Sequence, residues 1–320
     1  MSFEMSNPQK VLFPDSGITK ADLADHYHRV ASHMLRHIKG RPLAMERFPD
    51  GVQKPGFLQK NVPEHFPGWV ARVKVDKAGG TLMQATADDT ETLVYLANEA
   101  CITPHVWLSR TPRLRRPDRL VFDLDPSPGT GFNEVREAAH LVGRLVSELG
   151  LEPFAMTTGS RGLHLWVPLR PRPGFDEVRR FARDAAGVLV RRHPEALTIE
   201  QRKARRGARV LIDVMRNAYA QTAVAPYAAR ALAGAPVATP LHWRELSGRS
   251  LAPDRFTIAT IPRRLISGGD PWAQMSRHAR DLRAPRRRLD ELLAANGRNG
   301  SGGDALASGS RRRPGHAPPG

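Results

Sequence analysis

The sequence contains a single cysteine, Cys101, among its 320 residues. One thiol can form neither a disulfide framework nor a cysteine zinc cluster within this chain. Apolar runs are also short, since none approaches the ~20 residues that cross a bilayer. The first residues lack the basic stretch followed by an apolar stretch that is typical of a secretory signal. We therefore expect a cytoplasmic protein without a membrane partner.

Acidic residues are scarce relative to basic ones. There are 32 Asp and Glu against 49 Lys and Arg, which gives a net charge of +17. Residues 296–320 carry a net +3, so the rest of the chain carries +14. An excess of this size favours a polyanionic partner, because neutralising phosphates releases counterions. We expect nucleic acid as the partner and association with the nucleoid.

Hydrophobic periodicity predicts a mixed α/β core. Helices are expected from Thr19 to about Lys39 and over residues 89–99, 133–149, 176–192 and 286–295. Strands are expected over residues 120–125, 154–158, 163–169 and 210–215. The turn at residues 159–162 is short enough for a hairpin, so part of the sheet should be antiparallel. We predict one domain over residues 1–295 and a disordered basic tail, rich in Gly, Ser and Pro, over residues 296–320.

Two carboxylates follow each other on the strand that begins at Leu120. Side chains alternate along a strand, so Asp123 and Asp125 should project from one face, and Pro126 should end the strand. Paired carboxylates suit a hard divalent cation such as Mg²⁺ or Mn²⁺. Two Asp residues at this spacing are also common in solvated turns, and alone they favour that simpler interpretation.

The segment from Gly159 to Gly162 can be interpreted in two ways. Glycines allow the backbone to approach phosphates, and Arg161 supplies a charged fork, so the segment suits a triphosphate. A plain hairpin turn explains the same residues equally well. The local sequence does not separate these interpretations.

Four motifs in order link the chain to a known family. They are residues 121–126, 158–164, 202–206 and 225–227, with the sequences VFDLDP, TGSRGLH, RKARR and APY. Together they resemble the polymerase domain of bacterial DNA ligase D, a branch of the archaeo-eukaryotic primase superfamily, over residues 7–272. The resemblance implies a primase-type mixed sheet core flanked by helices, with an N-terminal extension.

The resemblance also implies an activity. Members of this family are DNA-directed nucleotidyltransferases that use two divalent ions, Mn²⁺ or Mg²⁺. They add nucleotides, often preferring NTPs to dNTPs, to primer 3′-hydroxyls at gaps and double-strand breaks in bacterial non-homologous end joining. Implied partners are DNA with a 5′-phosphate, Ku and a separate DNA ligase. The sequence has no Lys-x-Asp-Gly adenylation signature, so we expect a stand-alone polymerase module.

Site residues can be carried over from the family where the motifs match. The resemblance makes three carboxylates the metal ligands and catalytic residues: Asp123, Asp125 and Asp213. It assigns nucleotide binding to Thr158, Arg161, His164, His105, Arg206 and Arg230. It assigns the 5′-phosphate of the DNA to Lys10 and Lys20, and contacts with the template to Arg47 and Phe57.

Three positions depart from the family pattern. Leu58 stands where a second aromatic often follows Phe57, Arg216 where Gln is usual, and Gln221 where Lys is usual. Two alternatives to a polymerase stay open. The first is a non-catalytic module that binds DNA ends, which the strong charge and these three changes support. The second is a primase that starts chains de novo. The lack of a cysteine zinc cluster argues against the second alternative.

Overall fold

A computed structural model describes residues 3–248 and 250–300 of the chain. Its helices are α1 (Lys20–Ile38), α2 (Thr90–Asn98), α3 (Phe132–Glu148), α4 (Phe175–Arg192), α5 (Trp243–Leu246), α6 (Ile261–Gly268) and α7 (Arg283–Gly300). Its strands are β1 (Val11–Phe13), β2 (Ile18–Thr19), β3 (Leu43–Arg47), β4 (Phe57–Gln59), β5 (Arg72–Lys77), β6 (Gly80–Ala85), β7 (Cys101–Trp107), β8 (Arg119–Asp125), β9 (Phe154–Thr157), β10 (Leu163–Pro168), β11 (Leu197–Thr198), β12 (Val210–Asp213), β13 (Thr222–Val224) and β14 (Thr239–Pro240).

The central sheet has six strands in the order β11-β12-β8-β10-β9-β14. Strand β11 runs parallel to β12, and every other neighbouring pair in this sheet is antiparallel. The predicted mixed sheet and the hairpin between β9 and β10 are therefore confirmed. A second sheet has four strands in the order β13-β7-β3-β4, and β1-β2 and β5-β6 form two separate ribbons.

Both faces of the central sheet are buried. Leu165 and Val167 of β10 belong to a hydrophobic cluster that includes apolar residues of α3, α4 and α7. Trp166, which points the opposite way, belongs to a second cluster formed with α1, α2 and the four-stranded sheet. A fully buried Leu or Val contributes roughly 1.5–3 kcal/mol relative to an exposed one, so this alternation fixes the register of β10.

Two helices begin where side-chain caps predict. Thr19 precedes α1, where its hydroxyl accepts a hydrogen bond from the Asp22 amide at 3.2 Å and its own amide donates to the Asp22 carboxylate at 2.8 Å. Asp89 precedes α2 and accepts from the Thr92 amide at 2.7 Å. Such caps contribute about 0.5–2 kcal/mol each and supply amide groups with partners that the helix cannot provide.

The fourth predicted strand is shorter than expected. We expected a strand over residues 210–215, but β12 ends at Asp213 and a 3₁₀ turn follows over Met215–Asn217. Asn217 explains the early end, because its side-chain amide pairs with both the amide and the carbonyl of Val121 at 2.9 and 2.7 Å. A side chain thus provides the hydrogen bonds that a longer β12 would have made to β8.

Helix α7 continues to Gly300, five residues beyond the boundary predicted at residue 295. The rest of the predicted disordered tail, residues 301–320, lies outside the described residues, and the division into a domain and a tail stays a prediction. In the described part of the chain, no helix is both long and apolar enough to cross a membrane.

Candidate active site

The three predicted carboxylates lie on adjacent strands of the central sheet. Asp213 of β12 pairs directly with Asp123 of β8, and Asp125 ends β8 immediately before Pro126. Residues opposite each other on antiparallel strands project from the same face, as do residues two apart on one strand. The backbone therefore directs Asp123, Asp125 and Asp213 to the same face of the sheet, at the end of β8.

Both oxygens of the buried Asp123 carboxylate have partners. His164, which pairs with Asp123 across β10 and β8, places its Nε2 3.2 Å from Oδ1. Arg216, in the 3₁₀ turn after β12, donates from Nε to Oδ2 at 3.1 Å. Burial raises the pKa of Asp123, but His164 and Arg216 outweigh this effect and lower the pKa to about 2. Burial and the nearby Asp123 charge raise the pKa of Asp125.

The fit of this site to a metal ion is mixed. Three carboxylates on one face are suitable ligands for a hard divalent ion, and the crowding of Asp123 and Asp125 would be relieved by a cation. Within residues 3–248 and 250–300, however, no group of three His, Cys, Asp or Glu side chains is arranged to hold an ion. The Asp213 carboxylate accepts instead from the Met215 amide at 2.8 Å, and Arg216 occupies one oxygen of Asp123. The ligand types and backbone placement fit a metal, whereas these side-chain rotamers do not.

A cavity of about 110 Å³, here called the carboxylate pocket, opens beside these residues. It brings together seven residues of the sequence prediction: His105, Asp123, Asp125, Thr158, Arg161, His164 and Arg230. Its remaining lining residues are Ser160, Arg216 and Val224. Motifs that are far apart in the sequence thus converge on one polar pocket. From the sequence, Arg216 is visible only as a departure from the family pattern, and no local signal indicates its contact with Asp123.

The turn over residues 158–162 is a tight hairpin pressed against β8. The Thr158 amide and hydroxyl both donate to the Gly162 carbonyl at 3.1 Å. Gly159 has a φ of +68°, and a Cβ at Gly162 would lie 2.3 Å from the Leu124 carbonyl oxygen. Glycine is therefore required at both positions for different reasons. The hairpin leaves Arg161 exposed at the pocket, so the turn and the phosphate-loop interpretations describe the same segment.

Two further basic side chains line the carboxylate pocket. Arg230 donates from Nη1 to the Thr158 carbonyl at 2.7 Å, which ties it to the hairpin. His105 Nε2 lies 3.3 Å from a carboxylate oxygen of Glu46. Burial lowers the pKa of both Arg230 and His105. Glu46 is not predictable as a site residue from the sequence, because only the pairing of β3 with β7 brings it next to His105.

Arg206 lies in a neighbouring cavity and not in the carboxylate pocket. This cavity has a volume of about 490 Å³ and shares Asp125 and Arg161 with the carboxylate pocket. Arg206 lines it together with Lys203, and its guanidinium donates to the carbonyls of Glu200 and Gln201 at 2.9 and 2.8 Å. The structure therefore places Arg206 in a cavity that adjoins the carboxylate pocket at Asp125 and Arg161.

The predicted template contacts lie near a third cavity, which we call the Phe57 cavity. Its volume is about 310 Å³, and Phe57, Leu58, His105, Arg216 and Arg230 are among its lining residues. The Phe57 and Leu58 side chains are both about half exposed, at 48% and 50%. Arg47 stands over the Phe57 ring at 5.7 Å and donates to the Glu99 carbonyl and carboxylate at 2.7 and 2.9 Å. An exposed aromatic ring supported by a cation suits base stacking.

The two predicted 5′-phosphate lysines are brought together by a backbone hydrogen bond next to the β1-β2 ribbon. The Lys20 amide donates to the Lys10 carbonyl at 2.8 Å. Their ammonium groups have separate partners, since Lys10 lies 3.5 Å from an Asp50 carboxylate oxygen and Lys20 donates to the Ser6 carbonyl at 2.7 Å. Burial lowers the pKa of Lys20, and the charge of Lys10 lowers it further, against the opposing effect of Glu99.

Comparison with known proteins identifies relatives of this chain. The chain is 35% identical over 254 residues to "Multifunctional non-homologous end joining protein LigD" of Mycolicibacterium smegmatis, covering 79% of this chain and 33% of that protein. The protein of the same name from Pseudomonas aeruginosa is 34% identical over 288 residues, covering 89% of this chain and 34% of that protein. The chain therefore spans about a third of the length of these relatives.

A solved structure matches the fold as well. The polymerase domain of Mycobacterium tuberculosis ligase D in complex with DNA superposes with a TM-score of 0.82 at 32% sequence identity. The match covers 87% of this chain and 99% of that domain. The family model described as "LigD, primase-polymerase domain" matches residues 19–272, which is most of the chain. The chain belongs to the LigD primase-polymerase domain family, as its four motifs predict.

Proposed function

We propose that this protein is a metal-dependent nucleotidyltransferase that extends primer 3′-hydroxyls at DNA gaps and double-strand breaks in bacterial non-homologous end joining. The single observation that carries the proposal is the register of β8 and β12. It sets Asp213 opposite Asp123, next to Asp125 and beside a pocket lined by basic side chains. Family membership supports a role in end-joining polymerase activity.

In the proposed reaction, the primer 3′-oxygen attacks the α-phosphorus of the incoming nucleotide and the bond to the pyrophosphate breaks. Asp123, Asp125 and Asp213 would hold two divalent ions, Mn²⁺ or Mg²⁺, which when bound promote deprotonation of the 3′-hydroxyl and stabilise the developing negative charge. Arg216 has to leave the Asp123 oxygen for this ligand set to form, and its 41% exposed side chain has room to do so.

The basic residues of the pocket would bind the triphosphate. Arg161 is exposed at the mouth of the pocket, where its guanidinium can form paired hydrogen bonds to phosphate oxygens. Arg230 is held by the Thr158 carbonyl at 2.7 Å, so its position is preorganised. His164, His105 and Thr158 complete the proposed nucleotide site, with Arg206 approaching from the adjoining cavity. We propose that NTPs are preferred to dNTPs.

The DNA would contact two other surfaces. Phe57 would stack on a template base with Arg47 behind its ring, and Lys10 and Lys20 would bind the 5′-phosphate at a gap. For Lys20 this requires the ammonium to be shared with, or released from, Ser6. Ku and a separate DNA ligase remain proposed partners, and the cytoplasm, in association with the nucleoid, is the proposed location.

Primer extension on a gapped duplex with a 5′-phosphate tests the proposed function. The reaction should be run with NTPs or dNTPs and with Mn²⁺ or Mg²⁺. The wild type should add nucleotides, faster with NTPs, and Asp123→Ala/Asp125→Ala should add none while still binding the DNA. Replacing Lys10 and Lys20 by Ala should remove any preference for 5′-phosphorylated over unphosphorylated gaps. Undiminished extension by the double aspartate variant would refute the proposed role of the carboxylates.

One observation favours the alternative of a non-catalytic module that binds DNA ends. Arg216 and His164 occupy both oxygens of Asp123, and no three potential ligands among the described residues are arranged to hold an ion. If this arrangement persists in solution, the protein should bind gapped DNA and add no nucleotide with either metal. The primer extension assay distinguishes the two functions directly.

A further inference from the structure

We propose that Arg216 is a resident counter-cation of Asp123 that a divalent ion must displace, so that Arg216 sets the metal affinity of the carboxylates. This inference rests on the metal requirement in the proposed function. It concerns a residue that neither the motifs nor the family match singles out as part of the site.

The contact itself is specific. Arg216 Nε lies 3.1 Å from Asp123 Oδ2, while His164 takes Oδ1. The guanidinium has one further hydrogen bond, from Nη1 to the Thr222 carbonyl at 3.4 Å. The Asp123 side chain is 4% exposed and that of Arg216 is 41% exposed. Arg216 thus covers the solvent side of a buried carboxylate, where an incoming cation would have to bind.

The charge of Arg216 interacts with the whole carboxylate set. Arg216 binds Asp123 directly, Asp213 lies opposite Asp123 across β12 and β8, and Asp125 lies two residues further along β8 on the same face. One monovalent side-chain cation, Arg216, therefore lies beside three carboxylates in the metal-free protein. A divalent ion seeking the same oxygens would lose one ligand to Arg216 and would be repelled by its charge at short range.

The local fold holds Arg216 in this place without locking it. The turn over Met215–Asn217 is fixed by Asn217, which pairs with the Val121 backbone, so the Arg216 backbone is anchored. The side chain lines both the carboxylate pocket and the Phe57 cavity, together with His105 and Arg230. A guanidinium displaced from Asp123 can therefore turn toward the Phe57 cavity while its backbone stays in place.

This geometry couples two binding events. With Arg216 on Asp123, the metal site is incomplete and the Phe57 cavity lacks the full charge of this guanidinium. With Arg216 turned away, Asp123 Oδ2 is free for a cation, and the guanidinium faces the cavity lined by Phe57, the residue proposed to stack on a template base. Metal and nucleic acid should therefore each favour the binding of the other.

Binding of Mn²⁺ to the purified protein, without nucleotide or DNA, tests the inference. Free Mn²⁺ can be measured by electron paramagnetic resonance for the wild type, Arg216→Gln, Arg216→Lys and Asp123→Asn/Asp125→Asn. We expect Arg216→Gln to bind Mn²⁺ roughly tenfold more tightly, equivalent to about 1.4 kcal/mol. Arg216→Lys, which keeps the charge without the Nε contact, should fall between Arg216→Gln and the wild type.

Arg161→Gln is the matched control. Arg161 lines the same pocket and carries the same charge, but its exposed side chain is screened by water and makes no contact with Asp123 in the described structure. Its removal should change the Mn²⁺ affinity by no more than about twofold. An equal gain in Arg161→Gln and Arg216→Gln, or no gain in Arg216→Gln, overturns the inference.

The same titrations separate this inference from the proposed function. Mn²⁺ binding that requires Asp123 and Asp125 but is insensitive to Arg216 overturns the inference alone. Absence of carboxylate-dependent binding in every variant, including Arg216→Gln, overturns both. Thermal unfolding provides a readout of folding: saturating Mn²⁺ should raise the Tm of Arg216→Gln more than that of the wild type, because tighter binding to the folded state stabilises it more.

Discussion

Substituting Ala for Gly162 should damage the site through a single backbone contact. A Cβ at this position would lie 2.3 Å from the Leu124 carbonyl oxygen and 3.3 Å from Oδ1 of Asp125. The φ of Gly162 lies outside the left-handed region, so alanine can adopt the backbone conformation and the contact alone sets the cost. Because the nearest atom belongs to the backbone of β8, no side-chain rotation relieves the contact.

The hairpin must therefore move away from β8 until the added Cβ and the Leu124 carbonyl oxygen are no longer closer than van der Waals contact. Overpacking of this kind costs typically 1–3 kcal/mol of the free energy of unfolding. Leu163, the next residue, pairs with Leu124, so the shift acts directly on the β8–β10 ladder that positions His164 against Asp123. We expect Gly162→Ala to lower Tm by several degrees and to reduce primer extension further than the loss of folded protein explains.

Differential scanning calorimetry and extension assays on the same preparations measure the two effects. Gly68→Ala is the matched control, since a Cβ there meets nothing within 4 Å and its φ also lies outside the left-handed region. We expect it to stay within about 0.5 kcal/mol of the wild type. A Gly162→Ala protein that unfolds and extends primers like the wild type would show that the hairpin does not depend on this close approach.

Three further predictions follow from other contacts. Burial lowers the pKa of His26 to about 4, so the unfolded state binds more protons than the folded state between pH 6.5 and 4. The free energy of unfolding should therefore fall by about 3 kcal/mol as the pH drops from 6.5 to 4. Denaturant titrations should show a smaller fall for His26→Gln. Asp118→Asn should lower the free energy of unfolding by about 3–5 kcal/mol in thermal or denaturant unfolding. Arg41, which is fully buried and 2.7 Å from this carboxylate, would then keep an uncompensated charge. A near-neutral effect would contradict this prediction. Phe57→Ala should weaken template binding by about 1–3 kcal/mol in fluorescence anisotropy, and Leu58→Phe should strengthen it; equal binding by all three proteins would exclude stacking at this strand.

The sequence predicts the core of the fold because its periodic patterns are strong. The alternating apolar residues Leu163, Leu165 and Val167 mark β10, and the caps at Thr19 and Asp89 mark the starts of α1 and α2, so these elements are defined by residues close in the sequence. The end of β12 could not be predicted in this way. It depends on Asn217 pairing with Val121, a contact across 96 residues that no local pattern encodes.

The candidate site shows the same difference between residues placed by local patterns and residues placed by contacts between distant parts of the chain. Residues in compact motifs, such as Asp123, Asp125 and His164, lie side by side because alternation and one hairpin bring them together, while their roles stay predictions. Arg206 was expected in the same nucleotide site but lines the adjoining cavity. The contact of Arg216 with Asp123 depends on where β12 ends and which way the following turn faces, so the sequence indicated an unusual residue without its role.

Template-directed addition is the most direct test of the central claim that these carboxylates catalyse nucleotidyl transfer. Single NTPs should be offered with Mn²⁺ to four gapped duplexes that differ only in the templating base, using the wild type and Asp213→Asn. We expect the wild type to add the complementary nucleotide on each duplex, and Asp213→Asn to bind the DNA but add nothing. Addition by Asp213→Asn at the wild-type rate would contradict the account, as would a wild type that binds DNA without any incorporation.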